Sequence, residues 1–139
     1  MRRYGVFLLF TFFALFHAFS ETLEIRCEQP VLVYNNHVGN EWVFDMEIDG
    51  RRCPIGRTVQ VKCSGIIKVV FTAQEVDKIS DFGSGTIDID INTLEFNTEE
   101  SAGIEAIVTE NRGRYRGNKA KWKIWVYFSR LGEREVYED

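Results

Sequence analysis

Between Ile66 and Leu94 an apolar run, Ile66 to Thr72, leads through a polar acidic stretch into a segment where Ile87, Ile89 and Ile91 alternate with Asp88, Asp90 and Asn92. A period of two buries one face only if the segment is a β-strand. Wound as a helix, the same residues would scatter around the cylinder. The period holds for most of the chain after residue 21. Thr22 to Glu28, Val31 to Tyr34, Glu41 to Asp49, Thr58 to Cys63, Ile66 to Thr72, Thr86 to Asn92, Ile104 to Glu110 and Ala120 to Ser129 all read as strands, and Trp42, Phe44, Met46 and Ile48 share one inward face. Asp49-Gly50 and Pro54-Gly56 mark turns, so Arg51 to Cys53 reads as a loop or short edge strand, while Gln74 to Gly85 reads as a loop with one helical turn near Ala73 to Lys78. Short strands at this spacing predict an all-β fold, an antiparallel β-sandwich of seven or eight strands over residues 21–132.

The chain begins differently. Arg2 and Arg3 precede an almost unbroken apolar run from Val6 to Phe16, followed by the small residues Ala18 and Ser20. That order predicts a signal peptide over residues 1–20 and a secreted, extracellular protein. Removing it strips two cations and no acid, taking the formal charge from −4 to −6. A moderately acidic protein has no global attraction for nucleic acid, so no nucleic-acid partner is expected. The run Glu133 to Asp139 reads as a flexible acidic tail. Cys27, Cys53 and Cys63 are an odd number in a compartment where disulfides form. Strand parity points both Cys27 and Cys63 into a core and favours a bridge between them over the other pairings. Cys53 is then left as a buried thiol or as the link of a homodimer.

Charge is most polarised from Arg112 to Lys123, which carries Arg112, Arg114, Arg116, Lys119, Lys121 and Lys123 and no acid. Asn111, Gly113, Gly117 and Asn118 make this the tip of a hairpin. On the returning strand Trp122, Ile124, Val126 and Phe128 belong inside, which leaves Trp125 and Tyr127 outside among lysines. Arg112, Arg114, Tyr115, Arg116, Lys119, Lys121, Lys123 and Trp125 are therefore the expected ligand-binding residues, suited to an extracellular protein or an anionic glycan or lipid surface. The competing reading is internal neutralisation, because Glu75 to Glu110 holds ten acids against the single base Lys78.

Catalytic and metal signatures are sparse. The segment after residue 20 has one histidine, His37, no serine sits in a nucleophile elbow, and the cysteines lack paired metal-ligand spacing. A non-catalytic binding module is expected. A small secreted enzyme or enzyme inhibitor is the alternative, requiring a pocket around His37.

Val69-Val70-Phe71, the acids Glu75, Asp77 and Asp81, Phe82-Gly83-Ser84-Gly85 and the following Thr86 to Ile91 together resemble the second half of a C2 domain. The resemblance covers about a quarter of the mature chain. It implies a C2-like sandwich, where periodicity alone leaves an immunoglobulin-like one equally open, and a calcium-assisted or head-group lipid binder. Glu75, Asp77 and Asp81 would be the metal ligands. Ala73 and Glu75 stand where calcium-binding members place aspartates, and the region of the first calcium loop, Asn35 to Glu41, is poor in charge, so any calcium site would be weak. No other cofactor is implied.

Overall fold

The computed structural model describes residues 20–132, so the expected acidic tail and all of the expected signal peptide but Ser20 lie outside the described residues. Alternation becomes strands almost throughout: β1 (Glu21–Cys27), β2 (Val31–Asn35), β3 (Trp42–Ile48), β4 (Arg51–Arg52), β5 (Thr58–Cys63), β6 (Ile66–Glu75), β7 (Asp81–Asp90), β8 (Glu99–Thr109) and β9 (Lys119–Leu131), with one 3-10 turn at Ile91–Thr93. All the pairings between these strands are antiparallel, and they form two sheets. In the first sheet β9 pairs with β8 along nearly its full length. It also pairs with β1 near its end and β2 near its start, and β5 flanks β1. The second sheet runs β4-β3-β6-β7. The expected all-β antiparallel sandwich is what the chain forms, and the two-residue edge strand β4 takes the number above eight.

The inward face follows the parity read from the sequence. Leu23 and Ile25 of β1, Met46 and Ile48 of β3, Ile67, Val69 and Phe71 of β6, and Ile124, Val126 and Phe128 of β9 are buried together. Across the sheets Trp122 meets Phe44 edge-on, with ring centroids 4.6 Å apart, and Trp42 at 5.3 Å. Burying such side chains contributes roughly 1.5–3 kcal/mol each before ordering costs are set against it.

The expected loop over Gln74 to Gly85 is replaced by a hairpin. Ten consecutive pairs run from Ile66↔Asp90 to Glu75↔Asp81, which leaves only residues 76–80 as a turn. Two physical reasons explain the difference. Ala73 and Glu75 continue the inward parity of Ile67, Val69 and Phe71, and both are buried. Gly83 and Gly85 are strand glycines: a Cβ on Gly83 would run into the Ile107 carbonyl and one on Gly85 into the Glu105 carbonyl. Here the edge strands of the two sheets, β7 and β8, press backbone to backbone, which only glycine permits. The sheets close at these two glycines, and farther along the same side a cavity of about 220 Å³ opens between β7 and β8, lined by Ile87, Ile89, Leu94, Ala102 and Phe128.

The other side is open, because two-residue β4 cannot cover β5. A cavity of about 390 Å³ lies there, lined by Ile48, Cys53, Pro54, Val59 and Val61 with the exposed Arg51, Arg52 and Lys62.

The expected Cys27 to Cys63 bridge is corrected by strand register. β1 pairs with β5 so that Cys63 stands opposite Glu21, six residues along the strand from Cys27. At about 3.4 Å per residue this is about 20 Å, whereas a disulfide needs Cα atoms within about 7 Å. Parity put both side chains on the core face and said nothing about their position along it. All three thiols are free, with Cys27 and Cys53 buried and Cys63 half-buried.

Candidate functional site

The β8–β9 hairpin ends in a tip whose backbone is fixed by its own hydrogen bonds. Gly117 N donates to the Glu110 carbonyl at 2.7 Å, Glu110 N to that of Asn118 at 2.8 Å, and Asn118 N to that of Tyr115 at 2.9 Å. Gly113 at φ 73° and Gly117 at φ 90° supply the left-handed residues that this reversal requires. Arg112, Arg114, Tyr115, Arg116 and Lys119 are all exposed on it. None of these four cations has a carboxylate within ion-pair distance among the described residues.

A second loop buttresses the tip. The Asn35 side chain accepts from Val38 N at 2.9 Å and donates to the Gly39 carbonyl at 2.7 Å, which closes residues 35–39 into a tight turn with His37 at φ 58°. His37 then stacks on Tyr115 with ring centroids 4.7 Å apart and an interplanar angle of 14°. The stack gives the exposed Tyr115 a fixed pose. Sequence reasoning placed His37 in a loop and missed this contact, because a stack between residues so far apart in sequence leaves no local signal.

The tip's root is held by acids. Asn111 donates from Nδ2 to Asp81 Oδ1 at 2.7 Å and from its backbone N to Asp81 Oδ2 at 3.3 Å. Glu110 accepts from Arg112 N at 3.2 Å. Burial raises the Glu110 carboxyl above its ordinary value, with Asp81 and Asp77 adding to the rise. Glu75 lies deeper still, only 4% exposed, and its Oε2 has no hydrogen-bonding partner among the described residues. Burial, then the charges of Asp77, Glu110, Asp81 and Glu41, raise its carboxyl as well.

The expected ligand-binding set therefore divides. Arg112, Arg114, Tyr115, Arg116 and Lys119 gather at the tip. Lys121, Lys123 and Trp125 descend the outer face of β9, reaching about 20 Å from Lys119 at Trp125. Lys121 is neutralised by Glu105 at 2.9 Å, the one place among the described residues where the expected internal neutralisation reaches this cationic run. Lys123 lies 4.3 Å over the ring of Trp125, its outward neighbour. The expected metal ligands do not converge either. Asp77 accepts from Ile79 N within its own turn at 2.6 Å, Asp81 holds Asn111, and Glu75 is buried in the core stripe. Among the described residues no three His, Cys, Asp or Glu side chains are grouped to hold a metal ion.

Beside the tip, β2 pairs Asn35 with Ala120 and Tyr34 with Lys121, and its Val31, Leu32, Val33 and Tyr34 are all exposed. An apolar edge thus adjoins the cations. No protein-family model matches this chain, and no curated protein matches it in sequence.

Proposed function

We propose that this chain is a secreted, non-catalytic binding module that grips an anionic extracellular ligand, a sulfated glycan or an acidic protein surface, through the tip of its β8–β9 hairpin. The observation that carries the reading is the cluster of Arg112, Arg114, Arg116 and Lys119, exposed and without ion-pair partners among the described residues of an otherwise acidic protein. Free guanidinium groups offer bidentate donors to sulfate or carboxylate oxygens. A hydrogen-bonded tip and a stacked tyrosine reduce the ordering cost of binding, since part of that entropy is already lost in the free protein. The exposed strip Val31–Tyr34 supplies apolar area that a protein partner would cover.

The C2-like reading, with calcium between protein and lipid head group, receives less support. Two of its three acids are engaged within the fold, Asp77 with Ile79 N and Asp81 with Asn111, and Glu75 is buried in the core stripe. Affinity chromatography on heparin and flotation with anionic liposomes, each with and without calcium, test both readings. The tip reading predicts calcium-independent heparin retention that is lost when Arg114, Arg116 and Lys119 are changed to Ser. Retention that requires calcium and vanishes in Asp77→Asn would sink it in favour of the other.

A further inference from the structure

We propose that Cys27 and Cys53 form an oxidisable pair that locks the two sheets together at the open side of the sandwich, with Cys63 remaining a free thiol. This stands apart from the hairpin reading and can fail without it.

Cys27 is the last residue of β1 in one sheet, and Cys53 follows β4 at the edge of the other. Both are almost completely buried, at 1% and 5% exposure. Their sulfurs converge on a single atom, each lying 3.8 Å from the carbonyl oxygen of Pro54. Both backbones are fixed in place. Cys27 pairs with Val126 of β9, and Cys53 N donates to the Met46 carbonyl of β3 at 2.7 Å. Joining the two thiols asks for side-chain rotation and local closure. Joining either of them to Cys63 asks a strand to move, because Cys63, the last residue of β5, stands opposite Glu21 at the far end of β1 with its thiol turned to the Glu21 carbonyl at 3.8 Å.

The oxidant is a low-molecular-weight disulfide of the glutathione type, and the order of attack follows from access. Cys53 lines the cavity at the open side and a second one along Val43, Phe44 and Ile55, whereas Cys27 lines neither. The Cys53 thiolate attacks one sulfur of the small disulfide, forming a mixed disulfide and expelling one small thiolate. The Cys27 thiolate then attacks the Cys53 sulfur, forming the protein disulfide and expelling the second. Two protein thiols are oxidised, one small disulfide is reduced to two thiols, and the two protons end on the released thiolates. Burial pushes the Cys53 thiol up to about 11 and raises that of Cys27, so thiolate is scarce and exchange in the folded protein is slow. The bond forms fastest while the chain is folding, before the core closes over both sulfurs.

The three cysteines fall in separate tryptic peptides, because Arg26, Arg52, Arg57, Lys62 and Lys68 lie between or beside them. The purified protein, incubated with oxidised glutathione during refolding and then alkylated, is mapped without reduction. The expected result is a linked pair of peptides bearing Cys27 and Cys53, with Cys63 alkylated. Relative to the reduced protein the unfolding midpoint should rise on the order of 10 °C. Cys63→Ser should keep the linked pair and the shift, and Cys53→Ser should lose both. Three alkylated thiols after oxidation, a link that includes Cys63, or a Cys53 to Cys53 dimer would each overturn the proposal. Should Cys53→Ser not fold, the wild-type and Cys63→Ser maps still decide.

Discussion

The β6–β7 hairpin and the β8–β9 tip are the two charged extremes of the chain, and their charges do opposite things. In the first, Glu75 is buried in line with the core stripe of β6, and Asp81 is buried while holding Asn111 at the root of the tip. In the second, Arg112, Arg114, Arg116 and Lys119 project into solvent with no carboxylate in reach among the described residues. Acids that face inward build the platform, and the cations of the tip, unpaired among the described residues, face solvent. Local charge density does not distinguish the two cases, since both regions are rich in ionisable side chains; burial and hydrogen-bonding partners do.

If the acidic hairpin is scaffold, the harshest changes lie in its strand β7. Gly83→Ala drives a Cβ into the Ile107 carbonyl and should cost more than about 3 kcal/mol or abolish folding, read from urea unfolding. Asp81→Ala should cost about 2 kcal/mol, because it leaves Asn111 with two unanswered donors in a half-closed site. The same variant should also weaken heparin binding by loosening the tip, whereas a purely local role for Asp81 would leave binding untouched.

Glu75 gives a gentler, pH-dependent effect. Its carboxyl is raised in the fold by burial and by neighbouring acids. A carboxyl whose folded pKa lies above its unfolded one takes up a proton more readily when folded, so stability falls as pH rises from the ordinary value of 4.5 through the folded one. Glu75→Gln should therefore raise the thermal midpoint at neutral pH, with little change once the solution is well below 4.5. A variant less stable than wild type at neutral pH would mean that Glu75 has a partner when charged. The smallest effect on stability belongs to the tip. Arg114→Ser with Arg116→Ser should change the unfolding free energy by no more than about 0.5 kcal/mol, because both side chains are exposed and neither forms an ion pair among the described residues.

Most of the sandwich was legible in sequence, because period-two alternation survives wherever one face is wet. Ile87, Ile89 and Ile91 turn inward as their alternation with acids implied, and Trp122, Ile124, Val126 and Phe128 do the same in β9. What alternation could not show was relations along or between strands. Cys27 ends β1 while Cys63, on β5, stands opposite Glu21 at the start of β1, so core-facing parity without register gave a wrong pair. Gly83 and Gly85 looked like loop residues because the close crossing of β8 that demands them comes from a distant part of the chain. The tip residues were found by their charge, and their division into a free cluster and the occupied Lys121 and Lys123 depended on Glu105 and Trp125 across and along β9.

The central claim is that location, not total charge, makes the tip a binding surface. Two triple variants with equal loss of charge test it on heparin at moderate ionic strength. One changes Arg114, Arg116 and Lys119 to Ser, and the other changes Arg51, Arg57 and Lys68, exposed cations away from the tip. The account predicts that the first elutes at much lower salt while the second stays close to wild type. Equal losses in both, or a greater loss in the second, would contradict it.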